Sequence, residues 1–305
     1  MPAPATPAHT ELYKQVTAFR PLGRGRFGQV YAVQTTTHGL LAVKVIARAI
    51  VDEDWMPLEA KTMEAIPAHP NVVRYFSCTC DSSWVFLGTE IVGRGTTLLQ
   101  LLCTRTEWSH LPDAKKGPPQ PGQCCGFSEL NTWLLFRQLV AAVRHVHLYN
   151  VVHRDIKPDN VLVRAVHGVE ASAPLGEQVE LVLGDFGFAT FQAPGATLYT
   201  FPGTFSFAAR EVLMGVPYDG FKADVWSLGV CLYMMATGHF PFGREDSPKN
   251  RVRALECEWD PDRPGAPVPE AARGLLNGIF TAHPGSRFSL GEVSHHRWVA
   301  TRPQE

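Results

Sequence analysis

The charged stretch "VVHRDIKPDNVLV", residues 151–163, is the first candidate for chemistry in this chain. It places two aspartates, an arginine, a lysine and an asparagine between apolar flanks that resemble buried strands. A buried charge is costly unless a partner or a metal ion compensates it. The stretch therefore indicates either a segment open to water or a site with a chemical role.

A glycine-rich segment, "GRGRFGQV", is the second candidate, because Gly23, Gly25 and Gly28 have the spacing G-x-G-x-x-G. Glycines let backbone N–H groups approach phosphate oxygens closely, but this spacing alone is weak evidence. In a dinucleotide-binding fold the motif leads into a helix. Here the strand-like "VYAVQ" follows, so the glycines are predicted to cap a hairpin that covers nucleotide phosphates, with Phe27 at its tip.

Lys44 is the third candidate, within the strand-like segment "LLAVKVI". Side chains alternate faces along a strand, so Ala42, Lys44 and Ile46 share one side. A lysine in such apolar surroundings needs an anion, and both Glu59 and a nucleotide phosphate are plausible partners. The alternative is an edge-strand lysine that reaches water.

The surrounding segments predict two structural parts. The first hundred residues contain strand patterns before and after one helix that begins near Asp52. Beyond them, apolar residues at three- and four-residue steps predict a long amphipathic helix that ends near Asn150. The apolar "KADVWSLGVCLYMMATG" predicts a buried helix that stops at Gly238. A small antiparallel sheet followed by a mostly helical part predicts an α+β fold.

The order of the motifs resembles that of the eukaryotic protein kinases. "HRDIKPDN" followed by "GDFG" resembles their catalytic loop and metal-binding motif, and the glycine loop and "AVK" precede both. The resemblance continues through "GTFSFAAREV", "DVWSLGV" and "HPGSRFSL" and covers about residues 17–300. It implies the bilobal protein-kinase fold, with a β-sheet N-lobe that carries one main helix and a larger helical C-lobe.

The type of kinase follows from two positions. Lys157 in "RDIKPDN" and Thr204 in "GTFSF" resemble the serine/threonine kinases rather than the tyrosine kinases. The tail "HHRWV" and the helix order most resemble the calcium/calmodulin-dependent and energy-sensing kinase groups. The resemblance therefore implies transfer of the ATP γ-phosphate to serine and threonine hydroxyls of protein substrates.

Residue roles are carried over from the resemblance position by position. Asp155 would accept the proton of the substrate hydroxyl, Lys157 would neutralise the transferred phosphoryl group, and Thr204 would lie near the acceptor. Lys44 would hold the α- and β-phosphates and pair with Glu59.

ATP and Mg²⁺ are the expected cofactors. Asn160 and Asp185 would hold the metal, because Mg²⁺ prefers oxygen ligands. The remaining nucleotide contacts fall into a phosphate flap, an adenine sandwich, a gatekeeper and a hinge. The flap would consist of Gly23, Gly25, Phe27 and Gly28, and the adenine would lie between Val30, Ala42 and Leu162. Thr89 would be the gatekeeper and Glu90–Val92 the hinge.

Other positions are expected to support the site. Asp224 would hold the catalytic-loop backbone by hydrogen bonds, and His153 would pack beneath Phe186. Arg154 would receive a phosphate on the activation segment, for which Thr200 has the most usual position. The alternative is a segment ordered by its own aromatic packing.

The sequence departs from the family pattern at several positions. Arg210 replaces the proline of the closing Ala-Pro-Glu motif, while Glu211 and its expected partner Arg287 are retained. Thr96 stands where kinases that prefer basic substrates commonly carry an acid. Two inserts, 103–127 and 167–180, are expected to be surface loops.

Domain boundaries are predicted at the hinge and near the termini. Residues 1–16 are expected to be a disordered lead-in, 17–92 the N-lobe, 93–300 the C-lobe and 301–305 a tail. The 305 residues include 45% hydrophobic and 19% charged side chains, with a formal net charge of -1. This balance gives no electrostatic reason to expect nucleic acid or a membrane as partner, and a monomer is expected.

Seven cysteines, an odd number without paired or Cys/His ligand spacing, argue against a disulfide framework or structural zinc. A reducing intracellular location, cytoplasmic or nuclear, is expected. Two alternatives to a protein kinase stay open: a pseudokinase scaffold that binds signalling partners, and a kinase of small molecules.

Overall fold

The structure is a computed structural model. It describes residues 16–25, 28–35, 38–48, 56–103, 126–200, 202–263 and 267–303. Most of the predicted lead-in, the loop-tip residue Phe27 and most of the first insert lie outside these described residues.

The N-lobe is a five-stranded antiparallel sheet with strand order β1-β2-β3-β5-β4. Its strands are β1 (Val16–Gly25), β2 (Gly28–Thr35), β3 (Gly39–Ala47), β4 (Tyr75–Cys80) and β5 (Trp84–Glu90). The inner face of the sheet contributes Ile46, Val85 and Leu87 to the main hydrophobic core, together with Ala60 and Met63 of helix α1 (Leu58–Ala65). Helix α1 is thus fixed against the same face that carries Lys44.

The C-lobe is mostly helical. Its longer helices are α3 (Glu129–Leu148), α6 (Gly220–Thr237), α7 (Pro248–Glu256) and α8 (Glu270–Ile279). The shorter ones are α2 (Leu98–Cys103), α4 (Leu175–Gln178), α5 (Arg210–Leu213), α9 (Leu290–His295) and α10 (Arg297–Ala300). Four short strands pair beside them: β6 (Val151–Val152) with β9 (Thr190–Phe191), and β7 (Val161–Ala165) with β8 (Val179–Leu183).

Helix α6 forms the centre of the C-lobe, as its apolar sequence predicts. Asp219 caps its first turn by accepting a hydrogen bond from the backbone N–H of Phe221, and Gly238 ends it with φ of 74°. Trp226 is fully buried and stacks against Phe242 with ring centroids 5.2 Å apart. The antiparallel sheet of the N-lobe and the helices of the C-lobe together confirm the predicted α+β bilobal fold.

The second insert differs in part from the surface loop predicted over 167–180. Its first residues are exposed, but Leu175 and Gly176 are buried. The backbone N–H of Gly176 donates to Asn131 Oδ1 at 2.9 Å, and a side chain at position 176 would collide with Leu134 of α3. The end of the insert is therefore part of the C-lobe core, because it forms α4 and packs on α3.

The expectation that the cysteine pattern gives no disulfide is wrong at Cys103, which is disulfide-bonded. Four other described cysteines, Cys78, Cys80, Cys231 and Cys257, are free. Within the described residues, no helix combines the length and the apolar character that a membrane span requires.

Candidate active site

The glycine-rich segment forms a hairpin between β1 and β2, with Gly25 paired to Gly28. A strand, not a helix, follows the glycines, which agrees with a flap over a nucleotide and excludes the dinucleotide-binding arrangement. Gly28 has no room for a side chain, because an added Cβ would overlap the backbone carbonyl of Val45. Gly23 differs, because no atom lies within 4 Å of the position that a Cβ would take there.

Lys44 lies between two carboxylates, of which Glu59 is buried and Asp185 is half-exposed. Its Nζ donates to both carboxylate oxygens of Glu59, at 2.9 and 2.8 Å, so the predicted ion pair is present. Asp185 Oδ1 lies 3.6 Å from the same nitrogen. Burial alone would lower the pKa of Lys44, but the charges of Glu59 and Asp185 raise it above its ordinary value. Lys44 is therefore held as a cation between α1 and the "GDFG" turn.

The expected adenine contacts gather around β3, β5 and β7. Ala42 pairs with Thr89 in the sheet, and the Thr89 hydroxyl lies 3.5 Å from the Ala42 carbonyl oxygen. Val30 pairs with Lys44 on the next strand. From the C-lobe, Leu162 forms a β-bridge with Thr97, five residues beyond Val92 of the hinge. Val92 of the hinge is buried, so its side chain packs into the core.

Arg164 anchors the hinge, a role that the sequence did not suggest. Its Nη1 donates to Glu90 Oε2 at 2.9 Å, and its Nε donates to Glu180 Oε2 at 3.0 Å. Glu90 Oε1 also accepts the backbone N–H of Arg74 at 2.9 Å. Strand β7 thereby holds the hinge through Arg164, two residues beyond Leu162.

The catalytic-loop residues converge on the carboxylate of Asp155, which is 4% exposed. Lys157 Nζ donates to Asp155 Oδ2 at 2.7 Å, and Asn160 Nδ2 donates to the same oxygen at 2.9 Å. The Thr204 hydroxyl lies 3.2 Å from Asp155 Oδ1 and 2.9 Å from Lys157 Nζ. The four predicted residues are thus brought together, and the Asp155 carboxylate is fixed from both sides.

Asp224 holds the loop from inside α6, in the way predicted. Its Oδ2 accepts the backbone N–H of His153 at 2.8 Å, and its Oδ1 accepts that of Arg154 at 2.9 Å. Arg154 has a positive φ of 64°, a strained conformation for a residue with a side chain. His147 Nε2 bonds Asp224 Oδ2 at 2.9 Å. These bonds compensate both the buried charge and the backbone strain.

The pH dependence of stability should report on Asp224. Burial alone would raise the pKa of its carboxyl, but the hydrogen bond and charge of His147 hold this pKa below its ordinary 3.8. A lowered folded-state pKa stabilises the protein above the unfolded-state pKa and loses this effect as pH falls through the folded-state value. At pH 7, Asp224→Ala should lower the free energy of unfolding by about 3 kcal/mol.

The difference between wild type and Asp224→Ala should shrink as the pH is lowered below about 4. Chemical denaturation of both proteins at a series of pH values measures it. A difference that is the same at pH 7 and pH 3 would show that the carboxylate charge contributes nothing.

Phe186 connects the catalytic loop to the "GDFG" turn. His153 lies edge-on to its ring, with centroids 4.9 Å apart, and His153 Nε2 is 3.0 Å from the carbonyl oxygen of Gly184. The predicted packing of these rings is therefore present. Asp185 follows with a positive φ of 52° and leaves its side chain 49% exposed.

The side-chain oxygens of Asn160 and Asp185 decide whether these two residues could bind a metal ion. Asn160 uses its amide nitrogen to bond Asp155, which turns its amide oxygen away from that carboxylate. Asp185 offers a half-exposed carboxylate beside Lys44. An amide oxygen and a carboxylate are hard donors of the kind that Mg²⁺ takes, so the residues present fit this ion.

A family model described as Protein kinase domain matches residues 16–299. The chain belongs to the protein kinase family. The match covers nearly the whole chain, including both lobes and every motif discussed above. The resemblance predicted from the sequence is confirmed.

Relatives among characterised proteins are named as serine/threonine kinases. Testis-specific serine/threonine-protein kinase 5 of Mus musculus is 30% identical over 303 residues, which cover 92% of this chain and 73% of that protein. The SNF-related serine/threonine-protein kinase of Rattus norvegicus is 30% identical over 285 residues, covering 92% of this chain and 34% of that protein. The predicted serine/threonine type and kinase group are confirmed.

A third relative is sperm motility kinase 3A of Mus musculus, with 33% identity over 294 residues, covering 94% of this chain and 50% of that protein. The chain thus spans most of the length of the first relative but only about a third to a half of the others.

The closing motif of this kinase keeps its buried ion pair. Arg287 Nη1 and Nη2 donate to the two carboxylate oxygens of Glu211 at 2.6 and 2.8 Å. The Arg287 side chain is completely buried, and its guanidinium lies over the Trp226 ring at 4.9 Å. The anchor predicted for the segment after Thr204 is therefore present despite the change to Arg210.

Proposed function

We propose that this kinase transfers the γ-phosphate of ATP to serine and threonine hydroxyls of proteins, with Asp155 as the base. The observation that carries the proposal is the convergence of Lys157, Asn160 and Thr204 on one buried carboxylate. Phosphoryl transfer depends mainly on positioning and on charge neutralisation, and these side chains are suited to both.

The reaction needs one proton acceptor and several cations. A substrate hydroxyl beside Asp155 would donate its proton to the carboxylate while its oxygen forms a bond to the γ-phosphorus. The bond between that phosphorus and the β–γ bridging oxygen breaks, and ADP leaves with the negative charge. Lys157 would neutralise the transferred group, and Lys44 the α- and β-phosphates.

Asn160 and Asp185 would hold Mg²⁺, which supplies charge neutralisation to the phosphates when bound. The Lys44–Glu59 pair supports this assignment, because it fixes Lys44 within 3.6 Å of Asp185. The predicted flap (Gly23, Gly25, Phe27 and Gly28) and the hinge (Glu90–Val92) would complete the nucleotide site.

The acceptor preference is supported by Thr204 and Lys157. Lys157 Nζ donates to both the Asp155 carboxylate and the Thr204 hydroxyl, so an ammonium group and a hydroxyl lie beside the base. A serine or threonine hydroxyl on a short side chain can approach this position.

We further propose a monomer that acts on proteins in the cytoplasm or nucleus, without nucleic acid or membrane as a partner.

Labelled ATP separates protein phosphorylation from the alternatives. Wild type and Lys44→Met are incubated with γ-labelled ATP, Mg²⁺ and either myelin basic protein or a mixture of small metabolites. Label on the protein that is at least tenfold above Lys44→Met is the expected result. Label on neither acceptor would favour a scaffold, and label only on a metabolite would indicate a small-molecule kinase.

Thr200 is the expected site of activating phosphorylation. Its hydroxyl accepts a hydrogen bond from Arg154 Nη1 at 3.1 Å, and its carbonyl accepts one from the Tyr218 hydroxyl at 2.8 Å. A phosphate here would add about 1.5 to 2 negative charges beside Arg154. Thr200→Ala cannot be phosphorylated at this position. Its kcat/KM for myelin basic protein should therefore be about tenfold lower than that of phosphorylated wild type.

Thr197→Ala, which changes a nearby threonine, should leave kcat/KM within about twofold of wild type. Full activity from protein whose mass shows no phosphate would contradict the switch. That result would favour ordering by aromatic packing, of which Phe207 against Phe240, with centroids 5.8 Å apart, is an example. Phe201 lies outside the described residues.

A further inference from the structure

Arg210 has a partner outside the closing motif in which it replaces proline. Its neighbour Glu211 turns inward to Arg287, which fixes the backbone at the start of α5. The Arg210 side chain instead reaches α7, where its Nε donates to the carbonyl oxygen of Leu255 at 2.6 Å. Arg210 therefore links the segment after Thr204 to the end of α7.

The end of α7 needs such a partner. The last carbonyl groups of a helix have no donor within the helix, and a cation there interacts favourably with the helix dipole. Cys257 follows α7 with φ of 59°, a left-handed conformation that glycine adopts easily and cysteine does not. Glu258 N donates to Arg253 O at 2.8 Å across this turn. Arg210 thus stabilises a strained helix end.

The same segment also contacts a residue ahead of α7 and a residue in the middle of the helix. The Ser206 hydroxyl donates to the carbonyl oxygen of Arg244 at 2.5 Å. The Arg251 guanidinium lies 5.4 Å from the centre of the Phe205 ring. Phe205 directly follows Thr204, whose hydroxyl contacts Asp155. The segment that begins beside the catalytic base therefore contacts α7 at its last turn and near its middle, and it also contacts Arg244 ahead of the helix.

We propose that Arg210 is a positioning residue for the protein substrate, because it fixes α7 beside the acceptor site. The proposal rests on the kinase function proposed above. The groups assigned to ATP belong largely to β3, α1 and the hinge, which lie on the N-lobe side of Asp155. Loss of the Arg210 bond should therefore affect the KM of a protein substrate and leave the KM of ATP unchanged.

Arg210→Met tests the proposal, because methionine keeps an apolar stem and lacks a donor. The KM for myelin basic protein should rise about five- to tenfold, while kcat and the KM for ATP stay within about twofold. Arg210→Lys, which can still donate to a carbonyl, should restore much of the affinity. Equal protein KM values for wild type and Arg210→Met, or a matching rise in the KM for ATP, would overturn it.

Cys257→Gly provides the second arm, because it removes the strain that Arg210 compensates. The double variant Arg210→Met/Cys257→Gly should return the protein KM to within about twofold of wild type. A double variant no better than Arg210→Met would overturn the proposed route through the helix end.

Hydrogen exchange separates this proposal from the kinase function. The amide of Glu258 should exchange about tenfold faster in Arg210→Met than in wild type, whether or not the protein transfers phosphate. If Arg210→Met does not fold, Cys257→Gly alone should slow exchange at the same amide. Unchanged exchange would overturn the role of Arg210, whereas absent transfer with changed exchange would overturn only the kinase function.

Discussion

Replacing Asp155 with asparagine is expected to lower kcat for protein phosphorylation by about 10²- to 10⁴-fold, the usual contribution of a positioned general base. Asparagine has the same shape, its amide oxygen can still accept the hydrogen bond from Lys157, and its NH2 group can donate to the Thr204 hydroxyl, but it cannot take the substrate proton. ATP binding should be retained, because Lys44 and the hinge are untouched. Initial rates with myelin basic protein and titration with a fluorescent ATP analogue measure the two quantities.

Asp262→Asn is the matched control, because Asp262 is an exposed carboxylate that pairs with Arg273 away from the site. Its kcat should equal that of wild type. Retention of the wild-type kcat by Asp155→Asn would contradict the assignment of the base, whereas loss of ATP binding in that variant would point to a structural role.

Replacing Arg287 with methionine is expected to lower the free energy of unfolding by about 3–5 kcal/mol, because it leaves the Glu211 carboxylate buried without its partner. Arg287 donates two bonds to Glu211 and one to the carbonyl oxygen of Lys222 at 2.9 Å. The unfolding midpoint should fall by about 10 °C, as measured by differential scanning calorimetry.

The double variant Glu211→Gln/Arg287→Met removes both charges and should recover part of the lost stability, since no uncompensated charge is then buried. A double variant that is less stable than Arg287→Met would contradict the electrostatic explanation. Equal stability of Arg287→Met and wild type would show that the pair is not buried in the folded protein.

Much of the site could be predicted because its chemically important residues lie in short sequence motifs. The hairpin at Gly25 and Gly28 could be predicted from the strand-like segment that follows these glycines. The Lys44–Glu59 pair was predictable because an isolated buried cation needs an anion. Asp224 was predictable for the converse reason, since a carboxylate inside an apolar helix needs donors.

The contacts that could not be predicted join distant segments whose sequences show no pattern. Arg164 reaches Glu90 across 74 residues of sequence, and both residues could equally well face water. The bond from Arg210 to Leu255 depends on how α5 and α7 are placed by the Glu211–Arg287 pair. Single polar residues of this kind obtain their roles from tertiary packing, which periodicity and spacing do not encode.

The burial of the second insert shows the same limit. Its "HGVEASAPLG" composition is typical of an exposed loop, yet Leu175 and Gly176 pack against α3. Asn131, which accepts the bond from Gly176, lies in the first turn of α3 and had no evident role in the sequence. The burial of Leu175 and Gly176 depends on the surface of α3, which the sequence of the insert itself does not specify.

The most direct test of the central claim is the identity of the residue that receives phosphate. Wild type and Asp155→Asn are incubated with Mg-ATP and myelin basic protein, and the phosphorylated residues are identified by fragmentation mass spectrometry. The account predicts phosphate on serine and threonine with wild type and a loss of at least a hundredfold with Asp155→Asn. Phosphate on tyrosine, or equal transfer by both proteins, would contradict it.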